Sequence, residues 1–334
     1  MHPSIRFFII FLFLVQNSVA QTEKINGISF VASRDKVTQE HVKPVMHVGA
    51  NYAAVMPFGF VRGLDNPSVV YNTDRQWFGE RRDGAKSYIK LLQSNGIKVM
   101  VKPQIWIWRG EYTGYLKMDT EEKWKMLEES YSKFILDYAT LAQETNAELF
   151  SIGTELEQFV ANRPEYWKGL IKKVKAVYTG KLTYAANWDE YKRVPFWDEM
   201  DYIGVDAYFP LSEMETPTVE SVIDGWRWWK GELSAFSNTH AKKILFTEWG
   251  YRSVDFTAKE PWTSDHSVTT VNLEAQTNTT RGTFEALWKE DWFAGGFIWK
   301  WFIHHSESGG SNNNRFTPQN KPAEVVIKEY YEKD

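Results

Sequence analysis

Apolar residues fall along the chain in two alternating rhythms. Short runs of β-branched, aliphatic and aromatic residues occupy 27–32, 52–56, 98–103, 147–152, 181–186, 202–206, 243–246 and 296–299. They are too short for helices and lack the in-out alternation of a one-sided sheet, so each reads as a strand buried on both faces. Between them, residues 81–95, 120–145, 164–178, 219–235 and 279–289 repeat apolar side chains every three or four positions, the period of an amphipathic helix. The longest opens with Asp119-Thr120-Glu121-Glu122, an N-cap residue followed by acidic groups in the first turn. Eight strands alternating with helices, with no break in composition, predict an α/β fold: a single (β/α)8 TIM barrel over residues 21–334. The alternative, an open doubly wound sheet, lacks a Gly-rich phosphate loop after its first strand.

The N-terminus departs from this rhythm. Arg6 precedes an apolar run from Phe7 to Val15, and Ser18-Val19-Ala20 supplies small residues. This is the pattern of a secretory signal peptide over residues 1–20, cleaved after about Ala20, and it predicts a secreted or periplasmic protein. The apolar run is too short to span a bilayer of about 30 Å. The chain has no cysteine, which excludes disulfides, thiolate zinc sites and a lipid-modified cysteine. Its formal charge of −4 becomes −5 once Arg6 is removed. Without a basic stripe neither a nucleic-acid nor a membrane partner is expected, and a neutral substrate fits the surface best. No exposed apolar helix announces an obligate interface, so a monomer is expected.

In a parallel barrel the residues just past each strand form the catalytic face. They are Phe58 and Phe60, Gln104, Trp106 and Trp108, Thr154 and Glu155, Asn187 and Trp188, Asp206 and Tyr208, Glu248 and Trp249, and Trp299, Lys300 and Trp301. This set is rich in aromatics and carboxylates. Aromatic faces cover the C–H faces of sugar rings, and carboxylates and amides take the hydroxyls, so the expected partner is a polysaccharide or oligosaccharide. Two Thr-Glu pairs, Thr154-Glu155 and Thr247-Glu248, each close an apolar run. Two such carboxylates suit acid/base and nucleophilic chemistry on a glycosidic bond. Histidines cluster only at His304-His305, without metal-ligand spacing, and neither a metal nor another cofactor is expected. The Ser-, Gly- and Asn-rich segment 306–315 reads as a mobile loop at the edge of the cleft.

Gly153-Thr154-Glu155-Leu156, Phe246-Thr247-Glu248-Trp249-Gly250 and the run from Gly295 to Trp301 resemble glycoside hydrolase family 113. So do the segments from Gly49 to Phe60, from Ile97 to Trp106 and from Phe316 to Ala323, so the resemblance covers nearly the whole mature chain. It implies a retaining (β/α)8 glycosidase of the β-mannanase kind. Glu155 is then the acid/base after the fourth barrel strand, Glu248 the nucleophile after the seventh, and Tyr208 the phenol that orients the nucleophile. One departure stands out: the related enzymes often carry Asn where this chain has Thr154, and Asn187 is the candidate for the missing amide.

The other candidates for substrate contact are Gln104, Lys102, Asp206, Trp106, Trp188, Trp249 and Trp299, with Trp299 the expected platform beneath the sugar. Lys102 and Asp206 carry a second reading. Lys102 can close an ion pair inside the barrel, and Asp206 can pair with Lys102 or Arg252. The expected activity is that of an O-glycosyl hydrolase, an endo-β-1,4-mannanase. The alternatives are a retaining hydrolase of another β-glycan (xylan, glucan or mixed linkage) and a non-catalytic carbohydrate-binding barrel.

Overall fold

The computed structural model describes residues 23–265 and 267–333; the expected signal peptide lies outside them. Eight parallel strands close a barrel in the order β1 (Ile25–Phe30), β2 (Tyr52–Val55), β4 (Lys98–Val101), β6 (Leu149–Thr154), β7 (Lys181–Asn187), β8 (Ile203–Asp206), β9 (Ile244–Trp249) and β10 (Phe293–Trp301). All eight apolar runs are therefore barrel strands. Two further strands, β3 (Phe58–Val61) and β5 (Gln104–Ile107), pair in parallel with one another. They prolong β2 and β4 past Pro57 and Pro103. Lys102 and Gln104 donate backbone hydrogen bonds to Val55 and Pro57, both 2.9 Å, so this strand pair stays together above the barrel.

The predicted helices appear as α2 (Arg82–Ser94), α3 (Glu121–Glu144), α5 (Pro164–Val177), α6 (Val219–His240) and α7 (Leu273–Leu287). Thr120 caps α3 as expected, accepting from the Lys123 amide. Three helices were not legible in the period: α1 (Gln39–His47), α4 (Glu157–Asn162) and α8 (Pro322–Tyr331). One expected crossover helix is absent. Between β7 and β8 the described chain makes only short 3-10 turns at Tyr191–Arg193 and Trp197–Glu199. An aromatic stack covers the barrel there instead, with Trp167 and Phe196 stacked at 5.6 Å and Tyr184 edge-on to both. No described helix is long and apolar enough to cross a membrane.

The barrel interior changes character with height, following the two-residue side-chain period of its strands. Near the bottom, Ile25, Ala54, Met100, Leu149, Leu245 and Phe297 form a small apolar cluster of their own. Two residues further along their strands, Met100 gives way to Lys102, Leu149 to Ser151 and Leu245 to Thr247, all buried. The larger core lies outside, between strands and helices. The C-terminal mouth is packed with little slack. A methyl at Gly250, just after β9, would stand 2.4 Å from the Trp299 carbonyl oxygen. Gly250→Ala is therefore expected to cost about 1–3 kcal/mol, as overpacking does. Urea denaturation measures it; a wild-type midpoint would show that β9 and β10 separate freely at the mouth.

Candidate active site

β9 delivers Glu248 into the barrel mouth, where three side chains hold its carboxylate. Oε1 accepts from Lys102 Nζ at 2.5 Å and from Gln104 Nε2 at 2.7 Å, and Oε2 accepts from Tyr208 Oη at 3.0 Å. Lys102 and Gln104 reach the same oxygen because they lie on one face of the chain that runs through Pro103. Lys102 is fully buried and also meets Asp206, at 3.2 and 3.3 Å. Asp206 in turn accepts from Thr247 Oγ1 at 2.7 Å. Burial would push the lysine down, but Asp206 and then Glu248 outweigh it and leave the ammonium above its ordinary range. Asp206 moves up, through burial and then the charge of Glu248. Lys102 and Asp206 are thus a buried ion pair beneath the site. Neither is exposed to a ligand, which corrects their expected role in substrate contact, and Asp206 pairs with Lys102 rather than Arg252.

Glu155 is held differently. It follows β6 with φ +50°, a left-handed conformation uncommon outside glycine. Its amide donates to the Ala185 carbonyl at 2.8 Å, and the Leu156 amide donates to Tyr184 Oη at 2.6 Å. Behind them Tyr184 donates to the buried Glu190 at 2.8 Å. Tight packing sets this turn: a methyl at Gly153 would meet Tyr131 Oη at 2.8 Å. Among the described residues no hydrogen bond reaches the Glu155 carboxyl. Burial pushes its proton affinity well above the usual carboxyl range, and the charges of Asp206 and Glu248 add to that.

Glu155 and Glu248 line one cavity of about 150 Å³ with Gln104, Ile105, Thr113, Thr154 and Trp299. Thr154 Oγ1 is buried there without a hydrogen-bond partner among the described residues. Asn187, the expected substitute for the missing amide, is already engaged: its Nδ2 donates to Tyr112 Oη at 2.8 Å and its Oδ1 accepts from the Trp188 amide. Tyr112 and Thr113 escaped the sequence reading because they sit in the loop after β5, beyond any strand end.

The tryptophans separate by position. Trp299 lines the cavity, and the Trp299–Lys300 peptide is cis. Trp106 is half exposed on the extension β5, two residues beyond Gln104 and so on the same face. Trp188 is partly buried, with one ring face covered by Trp262 at 5.1 Å. Trp249 is fully buried against Phe284 and Trp288. It therefore belongs to the layer between barrel and helices and cannot serve as the expected subsite. Adjacent residues on a strand face opposite ways, so an inward Glu248 turns Trp249 outward. Segment 306–315 is more firmly tied than expected, with the Asn313 carbonyl accepting from Ser253 Oγ and the Arg315 carbonyl from Lys321 Nζ.

A family model for Glycoside Hydrolase Family 113 matches residues 31–321, most of the chain. The chain belongs to this family. As a family 113 protein it is a glycoside hydrolase on a closed parallel (β/α)8 barrel. Two solved structures of family 113 share that fold. One, a β-1,4-mannanase described as a complex, has TM-score 0.81 and 23% identity over 93% of this chain and 100% of its own. The other, the β-mannanase AaManA from Alicyclobacillus acidocaldarius in complex with ManMIm, has TM-score 0.79 and 25% identity over 93% and 97%. No curated protein sequence matches the chain.

Lys102→Met leaves Asp206 and Glu248 buried without their cation. Removing one partner of such a pair costs about 3–5 kcal/mol. The loss is expected at pH 8 and should shrink at pH 5, because protonating a carboxyl removes the unpaired charge. Denaturant unfolding at the two pH values checks this; an equal loss at both would show that the lysine acts through packing.

Proposed function

We propose that this family 113 hydrolase is a secreted, retaining endo-β-1,4-mannanase that works by double displacement. What carries the reading is the asymmetry of two carboxyls in one cavity. Glu248 has donors on both oxygens, which fix its carboxylate in place, whereas Glu155 has none among the described residues and holds its proton through burial and neighbouring charge. Retention needs this division between an ionised nucleophile and a proton donor.

In the first step a Glu248 oxygen attacks the anomeric carbon while Glu155 protonates the departing glycosidic oxygen. The product is a glycosyl ester on Glu248 and the freed alcohol. Forming the ester consumes the Glu248 charge, one of those that raised Glu155, so Glu155 can then take a proton from water. That water displaces Glu248 and releases a sugar of the starting configuration. Support for mannan comes from the two family 113 neighbours named as mannanases. Support for secretion comes from the pattern of residues 1–20.

Glu248→Gln is expected to reduce hydrolysis of β-1,4-manno-oligosaccharides to background. Glu155→Gln should lower turnover by roughly 10²–10⁴-fold on a poor leaving group, much less on an activated aryl glycoside, with azide restoring rate. Proton NMR of the first product should show the β-anomer. Wild-type turnover by Glu248→Gln, or an α-anomer released first, sinks the mechanism. A parallel panel of xylan, glucan and mixed-linkage substrates tests the sugar.

The alkaline limb of kcat/KM should follow Glu155. Its proton is needed for leaving-group departure, so activity is held while Glu155 is protonated and lost as pH rises through its raised value, well above the ordinary carboxyl range. Asp206→Asn removes one of the charges that raise Glu155 and should move this limb to lower pH. A limb that stays in place would detach it from Glu155.

A further inference from the structure

Beside the two glutamates, the mouth of the barrel carries positive charge that the proposed reaction does not use. Lys300 follows Trp299 on β10, and its amine lies 5.2 Å from the ring centres of both Trp299 and Phe302. Lys102 has two carboxylates, whereas Lys300 has no ion-pair or hydrogen-bond partner among the described residues. Arg315 stands close by. Its neighbour Phe316 packs edge-on against Tyr208 at 6.0 Å, which brings this stretch of backbone to the side of the mouth where Tyr208 holds Glu248, and the charge of Arg315 is felt at Lys300. The Arg315 backbone is fixed by Asn313 and Lys321, yet its guanidinium also has no described partner.

Two more basic side chains stand behind it. Arg252 is 4% exposed, donates to the Asn314 carbonyl at 3.3 Å and keeps its Nη2 buried without a hydrogen-bond partner among the described residues. Lys321, also 4% exposed, holds only neutral oxygens, those of Ser253 and Arg315. The acidic groups near this cluster are Glu248, already bound on both oxygens, Asp265, beside Arg252, and Asp255 and Glu260, which line one cavity with Arg252. Burial, and after it the neighbouring positive charge, lowers the proton affinity of Lys300, Arg252 and Lys321. Burial lowers Lys300 and Arg315 adds to it; burial and then Arg315 lower Arg252; burial and then Arg252 bring Lys321 to about 7.

Four basic side chains gathered at one wall of a chain whose formal charge is −4, three of them cations and Lys321 brought to about 7, are not a general surface property. Desolvated positive charge without a counterion is unfavourable, and an arriving anion relieves it. A neutral sugar cannot do that.

We propose that this wall is a subsite for a negatively charged group on the substrate, a uronate carboxylate or a sulfate ester. Lys300 and Arg315 hold the group beside the sugar seated at Trp299, and Arg252 and Lys321 strengthen the field from behind. A guanidinium fork and an ammonium suit such planar or tetrahedral oxyanions. The inference rests on the glycosidase reading and narrows its substrate from plain mannan to an acidic glycan.

The test compares kcat/KM of the full chain on neutral, uronate-bearing and sulfated manno-oligosaccharides of equal length. An acidic substrate should be preferred by about tenfold or more, the scale of one or two charge-assisted hydrogen bonds. Lys300→Gln and Arg315→Gln should each reduce that preference several-fold, a ratio that partial misfolding does not move. The two acidic arms tell carboxylate from sulfate. Calorimetry on Glu248→Gln reads binding without turnover; affinity for the acidic ligand should fall with added NaCl and with Arg315→Gln. Efficient cleavage of neutral chains only, with a ratio unchanged by either substitution, overturns the acidic subsite and leaves the glycosidase standing. If the wild type cleaves none of the three, the glycosidase reading fails; salt-sensitive binding then still supports the anionic subsite, and its absence removes that too.

Discussion

The structure turns on one buried lysine. Lys102 lies where the barrel interior passes from apolar to charged, and its ammonium is shared between Asp206 below and Glu248 above. A fully buried cation shared by two carboxylates is favourable only while all three groups keep their geometry. The strands that carry them, β4, β8 and β9, are therefore tied at the height where chemistry is expected. Gln104 and Tyr208 complete the arrangement by donating to the oxygens of Glu248. The rest of the candidate site is then a question of what approaches this fixed carboxylate. Glu155 comes from β6 through a left-handed turn, Trp299 from β10, and Tyr112 and Thr113 from the loop after β5.

The two glutamates differ by supply rather than by chemistry. Both sit at strand ends and both border the same cavity, but the hydrogen-bond donors are all spent on one of them. The charge that makes Glu248 useful also raises its neighbour, so a single group of side chains determines both states. The proposed cationic wall extends the same logic outward, since Lys300 and Arg315 have no ion-pair partner among the described residues.

Much of this was legible in the chain, and the failures have physical causes. All eight barrel strands announced themselves as apolar runs because both faces of a parallel sheet are covered. Helix α7 begins at Leu273, well before the predicted 279, because its first turns bury only Ala275 and Gln276 and show no large apolar period. The Thr279, Thr280 and Thr283 hydroxyls donate to carbonyls four residues earlier, so polar residues occupy apolar positions. Helix α8 announces itself only by Pro322 at its first turn, and α1 is masked by polar residues and an internal Pro44. In the site, the positions of Glu155, Glu248, Gln104 and Tyr208 follow from the strand-end rule. Trp249 was misread although alternation along β9 places it outward. The hold of Tyr112 on Asn187 joins residues 75 apart in sequence, and no local pattern announces it.

Pro103 has a consequence for how this cleft comes to exist. The amides of Lys102 and Gln104 both point toward β2, so the position between them points the other way, toward β6, and there proline offers no N–H. From that height on, β5 takes its strand pairing from β3, while β6 runs on to Thr154 and delivers Glu155 just past its end. The wall of the barrel therefore parts beside one of the two carboxyls. An opening of this kind is made by subtraction: a closed ring of hydrogen bonds becomes a slot when one donor is left out, and no inserted loop is needed.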